Sequence, residues 1–208
     1  MDRQVHKKIE SISFGIFSPK QIMDSATAKV VTPELYDREG YPVDGGLMDL
    51  RLGVIDPGLR CKTCGQKLKE CPGHFGYIDL ARPVIHIHFV RQVLDILKST
   101  CKLCARVLIP DESLKRYLGV LEKIGQEEGF EARRRKVKEI IKKYKIKEKC
   151  PHCETKQAKI KLEKPYNYYE EEIRLSPIEV RARLEKISNE DLEVFGFDKE
   201  SFRPEWLV

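Results

Sequence analysis

The chain has 208 residues, of which 35% are charged and 41% are hydrophobic, and it carries a net charge of +6 at pH 7. No stretch approaches the ~18 apolar residues of a membrane span, and the N-terminus lacks the sustained apolar region of a secretory signal peptide. These features exclude membrane and secreted proteins and predict a cytoplasmic chain. In that compartment its seven cysteines are more typical of metal or catalytic sites than of disulfides.

Residues 1–60 are rich in turn-forming residues and contain one helix signal. Ser18 is a typical N-cap and Pro19 stands at the first helical position, so a short helix is predicted there. Residues 36–58 are dense in Gly, Pro and Asp, which predicts ordered loop with short extended pieces. The pair Gly45–Gly46 is interpreted as a turn rather than a phosphate-binding loop, because no strand precedes it and no GKS or GKT follows.

Residues 61–100 begin with a compact set of metal-type side chains. Cys61 and Cys64 form a CxxC motif, and Cys71 and His74 form a CxxH motif, all within 14 residues. Two residues between ligands allow one tight turn to direct both side chains at the same ion. The spacing therefore predicts one complete tetrahedral site.

The rest of this segment is predicted to be an extended stretch followed by a helix. The string VIHIHF alternates, which places His86 and His88 on one face of a strand as packing or surface residues rather than metal ligands. His6 is assigned to a loose N-terminus. The helix is predicted from apolar residues at positions i, i+3, i+4 and i+7, namely Val90, Val93, Leu94 and Leu97.

Residues 101–153 contain two further CxxC motifs, separated by 45 residues. Seven cysteines and one histidine then make two closed sites with no cysteine left over, and closed sites are structural rather than catalytic. We therefore predict two structural Zn²⁺ ions, since such an ion contributes an apparent ~10–16 kcal/mol in small domains and would offset a thin core. His152 is expected to be exposed and not a ligand. The second ligand set is Cys101, Cys104, Cys150 and Cys153.

The segment between these two motifs has the periodicity of two helices, which predicts a helical hairpin inserted into the second zinc site. Its second arm is strongly basic. Residues 132–149 contain ten Lys or Arg against two Glu, a local charge of +8, so the rest of the chain sums to −2. Such a concentration is typical of a surface that contacts nucleic-acid phosphates, but a solvated face on a heat-adapted protein gives the same pattern, and the sequence leaves both open. The candidate phosphate contacts are Arg133, Arg134, Arg135, Lys136 and Lys138.

Residues 154–208 are predicted to hold a strand and two short helices. Weak alternation before Ser176 indicates the strand. Ser176 and Glu179 form a capping box at the start of the first helix, and Ser188 caps the second, which Gly196 closes. The second helix is acidic, which favours a packing role over DNA reading. The apolar ending RPEWLV predicts that the chain is a piece of a longer protein.

Several strings resemble the N-terminus of the largest subunit of multisubunit RNA polymerase. ISFGIFSPKQI, YDREGYPVDGGLMDLRLG and CKTCGQKLKECPGHFGYIDLARPVIHIHF occur in the family's order, followed by CKLCARVLI and LSPIEVRARLEKISNEDLEVFGF. The likeness spans nearly the whole chain, and CPGHFG after a CxxC motif is highly specific. The chain is most similar to the archaeal subunit that is split into A′ and A″ pieces.

This resemblance implies an α+β clamp head, a mobile element that closes over the DNA cleft, with zinc sites on the two ligand sets given above. Residues 1–60 would form a turn-rich base, 61–100 the first zinc knuckle, 101–153 the second zinc site with its hairpin, and 154–208 the strand and short helices. The implied partners are other polymerase subunits, template DNA, nascent RNA, and initiation and elongation factors that bind clamp regions beyond this segment. The implied location is the nucleoid.

The resemblance implies a part of a nucleotidyltransferase rather than an enzyme by itself. The family's NADFDGD loop, whose aspartates hold Mg²⁺, does not occur in the 208 residues. The alternative interpretation is a free-standing zinc-ribbon protein that binds RNA or regulates translation. A catalytic zinc would need an open coordination position, and a thiol oxidoreductase would use one CxxC motif at a helix N-terminus, so both are disfavoured.

Overall fold

The computed structural model describes residues 9, 12, 15–145, 147–196 and 203–208; His6 lies outside them. The described part mixes helices and strands, which confirms the α+β class. The helices are α1 (Pro19–Ser25), α2 (Val90–Ser99), α3 (Asp111–Glu127), α4 (Phe130–Tyr144), α5 (Pro177–Glu185) and α6 (Asn189–Glu193), with 3-10 turns at Ile87–Phe89 and Pro204–Leu207. The strands are β1 (Ala28–Lys29), β2 (Gly76–Tyr77), β3 (Ile160–Glu163), β4 (Asn167–Glu170) and β5 (Ile173–Leu175).

The first part of the structure, up to residue 84, is mostly irregular chain. Its helix α1 begins at the predicted cap, where Ser18 and Gln21 form a reciprocal capping box. Its strands β1 and β2 pair in parallel over two residues each. Gly45–Gly46 lies in a turn, and a side chain at Gly46 would come within 2.2 Å of the Glu34 carbonyl oxygen, so only glycine fits there.

The hydrophobic core lies in the second part of the structure, which comprises the described residues from 85 onward, and it is organised around α2. The predicted apolar stripe is largely correct: Val90, Val93 and Leu97 are buried, whereas Leu94 is partly exposed and Ile96 is fully buried. Tyr168 packs against this helix, and its hydroxyl donates to the Val90 carbonyl at 2.7 Å. Because each fully buried large apolar side chain contributes about 1.5–3 kcal/mol, the core stabilises mainly this second part.

The predicted hairpin forms between the second and third CxxC motifs. Helices α3 and α4 are joined by two residues, of which Gly129 has φ +84°. The helices run antiparallel, since Tyr117 in the first half of α3 meets Tyr144 at the end of α4 with ring centroids 6.1 Å apart. The Lys145 ammonium lies 2.5 Å from the Asp95 carboxylate and attaches the end of the hairpin to α2.

The structure corrects the strand predicted for VIHIHF. The segment instead enters α2 through a 3-10 turn, in which the Nδ1 atom of His86 accepts a hydrogen bond from the His88 N–H. Only Ile85 is buried there, while Val84 and Ile87 are exposed, so the alternation does not reflect a sheet face. The 3-10 turn leads directly into the helix that starts at Val90. The His86 N–H donates to the Leu207 carbonyl at 2.8 Å and not to a neighbouring strand.

The single strand predicted before Ser176 is a three-stranded antiparallel sheet in the order β3-β4-β5. Pro165 falls in the first turn, because a residue without an N–H cannot continue the ladder. The two C-terminal helices follow the prediction, with a capping box from Ser176 and Glu179 and a Ser188 cap. Their side chains Val180, Leu184 and Leu192 enter the core, together with Ile187 from the link between the two helices. No helix within the described ranges is long and apolar enough to cross a membrane.

Candidate metal centres

The structure brings the first predicted ligand set together. The side-chain donor atoms of Cys61, Cys64, Cys71 and His74, called group 1 below, all lie within 4.8 Å of one another. The Cys71 sulfur lies 3.6 Å from the Cys64 sulfur and 3.7 Å from Nε2 of His74. Three sulfurs and one imidazole are a donor set that suits tetrahedral Zn²⁺.

Backbone carbonyls of residues 50–52 hold group 1 in place. The carbonyl of Leu50 accepts from the Lys62 N–H at 2.9 Å, and that of Leu52 accepts from the His74 N–H at 2.8 Å. The Arg51 carbonyl accepts from the Thr63 hydroxyl at 2.7 Å. The two halves of the group, the CxxC turn and the CxxH turn, are therefore attached to one short stretch of chain.

The buried carboxylate of Asp49 fixes this stretch. It accepts hydrogen bonds from the N–H groups of Gly45 and Arg51 at 2.6 and 2.8 Å and forms an ion pair with the Arg51 guanidinium at 2.6 Å. The Asp49 side chain is 0% exposed. Hydrogen bonds from Arg51 hold the pKa of Asp49 well below its usual value, so the carboxylate stays charged.

The second predicted ligand set is also assembled. The sulfurs of Cys101, Cys104, Cys150 and Cys153, called group 2 below, lie within 4.8 Å of one another. Across the two motifs, the Cys101 and Cys153 sulfurs are 3.5 Å apart and those of Cys104 and Cys150 are 3.7 Å apart. Cys101 and Cys150 are buried and pack with Leu108. The two ends of the helical hairpin thus meet at four sulfurs.

All three CxxC motifs fold into the same turn. In each, the N–H two residues after the first cysteine points at its sulfur at 3.4 Å. The N–H of the residue after the second cysteine donates to the carbonyl of the first at 2.9–3.1 Å. That residue always has a left-handed conformation, with φ of +71°, +57° and +57° at Gly65, Ala105 and Glu154. The backbone conformation therefore repeats even where the residue is not glycine.

The surroundings of the sulfurs favour thiolates at some positions and oppose them at others. Burial acts to raise the pKa of Cys61, but the N–H groups of Cys64 and Thr63 outweigh it and lower the pKa to about 6. Hydrogen bonds from Thr155 lower the pKa of Cys153 to about 6. Burial raises the pKa of Cys104 to about 12. Clustered thiols ionise together only when a cation balances them, so these residues fit a metal ion.

Comparison with known protein families decides what kind of chain carries these two groups. The model of the family RNA polymerase Rpb1, domain 1, matches residues 6–208. The chain belongs to this family. The resemblance found in the sequence strings is thereby confirmed.

Curated members of the Rpb1 family give the same result. The chain is 48% identical over 215 residues to DNA-directed RNA polymerase subunit Rpo1N of Thermococcus celer, covering 99% of this chain and 24% of that protein. It is 48% identical over 207 residues to the Rpo1N subunit of Methanothermobacter thermautotrophicus (99% and 23%) and 47% identical over 207 residues to that of Sulfolobus acidocaldarius (97% and 23%). The chain spans about a quarter of the length of these relatives.

The described histidines outside the two groups of this Rpb1 domain differ in their exposure to solvent. The sequence predicts an exposed His152, but its side chain is only 12% exposed. Its Nε2 atom lies 3.0 Å from the carbonyl oxygens of Val107 and Ile109. The CPHC turn packs on the chain that follows Cys104, which buries the ring. His86 and His88 are exposed in the 3-10 turn.

The five basic residues proposed as phosphate contacts do not share one surface. Arg134, Arg135 and Lys138 are exposed on α4, together with Lys142 one turn further on. Lys136 is half-buried and forms an ion pair with Glu139 at 2.9 Å. Arg133 is half-buried and lines a groove between α3 and α4, where its Nε atom has no hydrogen-bond partner among the described residues. Four exposed basic residues of α4 are spaced three and four positions apart and are called the basic face below: Arg134, Arg135, Lys138 and Lys142.

Sequence reasoning missed the residues that support the two groups. Asp49 stands in a loop string that carries no ligand spacing, although a lone acid among Gly and Leu residues was a weak signal. Gln157 follows the last cysteine by four residues, and its amide contacts the Cys101 sulfur at 3.3 Å. No pattern along the chain points to that contact, because the two residues are 56 positions apart.

Proposed function

We propose that this chain is the clamp-head module of the largest subunit of a DNA-directed RNA polymerase. In this role it closes over the DNA cleft and supports processive transcription, while nucleotidyl transfer with Mg²⁺ takes place elsewhere in the assembled enzyme. The observation that carries the proposal is the pair of four-ligand groups within a chain that matches the Rpb1 family over residues 6–208. The same match favours this function over a free-standing zinc-ribbon protein that binds RNA.

Each group holds one structural Zn²⁺ ion in this proposal. All four positions of a tetrahedral ion are taken by protein side chains, which leaves no position for water or substrate. When bound, the ions supply cross-links between chain segments rather than acid–base or redox chemistry. Group 1 joins the CxxC and CxxH turns to residues 50–52, and group 2 joins the two ends of the α3–α4 hairpin.

The basic face provides the contact with nucleic acid in this proposal. Its residues recur at spacings of three and four along α4, so their cationic groups project from one side of a helix. Such groups neutralise phosphates and carry no base specificity. This fits a clamp that has to hold any template sequence.

The surface of the first part fits a chain that assembles with other polymerase subunits. Among the described residues, most of the exposed large apolar side chains lie before residue 104, and they include Phe17, Phe75 and Ile78. We propose that these side chains pack against neighbouring subunits, since protein–protein interfaces cover exposed apolar side chains. We therefore propose that the chain is normally assembled into the polymerase and, with it, located at the nucleoid.

The metal proposal is tested by native mass spectrometry of the 208-residue chain with counting of free thiols. We expect two zinc ions per chain and cysteines that react only after a chelator removes them. A chain with fewer than two ions, or with paired disulfides, contradicts the proposal. Serine replacement of Cys71 and of Cys104 in separate variants should remove one ion each.

The nucleic-acid proposal is tested with the triple variant Arg134→Glu, Arg135→Glu, Lys138→Glu and fluorescence anisotropy of a labelled DNA duplex. We expect weaker binding and a salt dependence whose slope falls by about 0.9 for each phosphate that the variant no longer neutralises. The matched control makes the same charge change on the other arm of the hairpin, at the exposed residues Lys115, Arg116 and Lys123. Equal losses of affinity in both variants would show a general charge effect and contradict a specific basic face.

A further inference from the structure

Gln157 occupies a position between the two halves of group 2. Its backbone N–H donates to the Glu148 carbonyl at 2.7 Å, which places it beside the strand-like pair formed by Lys149 and Lys156. From there the side chain reaches across to the other CxxC motif. It is half-buried, so its amide contacts lie at the edge of the sulfur cluster.

Three hydrogen bonds use both ends of the Gln157 amide. Nε2 donates to the Cys101 sulfur at 3.3 Å and to the Thr155 carbonyl at 2.8 Å, while Oε1 accepts from the Lys102 N–H at 3.1 Å. The partners determine which atom is the nitrogen, because a carbonyl needs a donor and an N–H needs an acceptor. The side chain therefore has one orientation that satisfies all three contacts.

These contacts join the two motifs without a metal ion. Thr155 closes the third CxxC motif, since its carbonyl also accepts from the Cys150 N–H at 3.0 Å. Lys102 lies inside the second CxxC motif, next to Cys101. The amide of Gln157 thus links the turn at residues 101–104 to the turn at residues 150–155, which meet only in the folded hairpin.

We propose that Gln157 is a positioning residue of group 2, which sets the distance between its two motifs and donates an N–H to the Cys101 thiolate. The inference rests on the zinc ion proposed for this group. Four thiolates around a divalent cation leave the centre negatively charged, so an N–H donor at sulfur stabilises it and a carboxylate opposes it. Removing hydrogen-bond partners of this kind weakens metal binding by about 10- to 100-fold.

Two variants distinguish the role of Gln157 as a hydrogen-bond donor to the Cys101 sulfur from its role as a link between the two CxxC motifs. Gln157→Glu keeps an oxygen for the Lys102 N–H but loses both donated bonds and places a negative charge near Cys101. Gln157→Met removes all three bonds without adding charge. The matched control is Gln92→Glu, the same chemical change at an exposed position of α2.

The test is competition for zinc with a colorimetric chelator, together with cadmium NMR of the 208-residue chain, which distinguishes a four-sulfur from a three-sulfur, one-nitrogen site. We expect Gln157→Glu to weaken one of the two sites by about 10- to 100-fold and Gln157→Met by the lower part of that range. The four-sulfur resonance should shift in both variants, while the resonance of group 1 and the control protein stay unchanged.

Three results would overturn the inference. If the unsubstituted chain binds two ions and both Gln157 variants behave like it, Gln157 has no positioning role, although the zinc proposal stands. If both sites weaken equally, the substitution acts on the whole fold and not on group 2. If the unsubstituted chain shows no four-sulfur site at all, the second zinc ion itself is wrong, and the inference fails with it.

Discussion

Groups 1 and 2 use the same ligand turn but are closed by different means. Group 1 is contiguous within 14 residues, and hydrogen bonds from the nearby carbonyls of residues 50–52 hold it. Group 2 joins motifs that are separated by 45 residues, so it exists only when α3 and α4 pair and return the chain. The difference shows that the same CxxC turn can be part of a ligand group held by a nearby loop or of one closed by a helical hairpin. Which of the two forms depends on the chain between the two ligand pairs.

The two groups also differ in what they stabilise. Among the described residues between 17 and 84, the buried apolar side chains are only Ala28, Val54 and Cys61. Group 2 by contrast stands next to the main core, which includes residues from α2 to the C-terminal 3-10 turn. We therefore expect metal loss at group 1 to unfold a local segment and metal loss at group 2 to affect the whole second part.

The largest expected effect is the removal of one ion at a time. Cys150→Ser should eliminate the second ion and a large part of the about 10–16 kcal/mol that a structural zinc contributes in small domains, because it releases both ends of the hairpin. Cys64→Ser should eliminate the first ion. The loss of amide-exchange protection in this variant should be confined to residues before 85. Hydrogen exchange with zinc-saturated protein measures both. If Cys64→Ser unfolds the whole chain, group 1 stabilises more than a local segment, and the proposed difference between the two groups is wrong.

The next effect concerns the carboxylate that supports group 1. Asp49→Asn removes the partner of the Arg51 guanidinium and part of the acceptor capacity that holds Gly45 and Arg51, so we expect the first part to lose about 1–3 kcal/mol. Chelator competition should show faster release from group 1 and unchanged release from group 2. Slower release, or equal changes at both groups, would mean that Asp49 does not act through residues 50–52. Asp56→Asn, the same chemical change at a nearby acid of the first part, is the control.

The left-handed residues of the CxxC turns give a smaller effect that differs in sign between the groups. Gly65→Ala should cost about 1–2 kcal/mol, since a left-handed conformation is unfavourable for any residue with a side chain. No atom lies within 4 Å of the added carbon, so the loss is conformational alone. Glu154→Gly, at an exposed residue of the group 2 turn, should relieve the same strain and stabilise group 2 by less than about 1 kcal/mol, because glycine also gains freedom in the unfolded chain.

Thermal unfolding of the zinc-saturated variants measures both changes. The control is Gly15→Ala, a position without a left-handed φ and with no atom within 4 Å of an added carbon. If Gly65→Ala leaves the unfolding temperature unchanged, group 1 does not require the left-handed turn.

The smallest effect tests the core of the second part. Tyr168→Phe keeps the packing of the ring but removes the hydrogen bond to the Val90 carbonyl, so we expect a loss of about 1 kcal/mol in the free energy of unfolding. Group 1 should keep its ion and its exchange protection. A loss of the first ion in this variant would show that the two parts are coupled more tightly than the packing indicates.

The same residue gives a pH dependence with a definite sign. Burial raises the pKa of Tyr168 above the usual 10.0, so above that pH the unfolded chain releases a proton that the folded chain retains. Its contribution to stability is complete below pH 10.0 and declines as the pH rises further. Urea unfolding of the parent and of Tyr168→Phe should show a difference that shrinks above this pH. A constant difference would mean that the phenol is not buried.

Several features could be predicted because they depend on residues close together in sequence. The two ligand sets follow from CxxC and CxxH spacing, and the caps at Ser18, Ser176 and Ser188 follow from side chains that bond to their own helix. The hairpin follows from helical periodicity between two motifs. Local geometry alone is sufficient for each of these.

Other features were wrong or missing because their cause is distant or competing. VIHIHF alternates like a strand, yet it enters the helix that starts at Val90 through a 3-10 turn. The predicted strand before Ser176 is three strands, because turns at Pro165 and Glu171 interrupt the ladder. The His152 side chain is largely covered because it packs on the chain at Val107, 45 residues away, and this environment has no signature in CPHC.

The sequence by itself determined which eight side chains form two groups. It also determined that a helical hairpin lies between the two halves of group 2, and that basic charge is concentrated in residues 132–149. Only the tertiary structure decided that Asp49 supports group 1, that Gln157 joins the halves of group 2, and that three of the five named basic residues share an exposed face. Ligand spacing and capping depend on a single turn of backbone. Support and exposure depend on which distant segments pack against that turn, and no pattern along the chain encodes this directly.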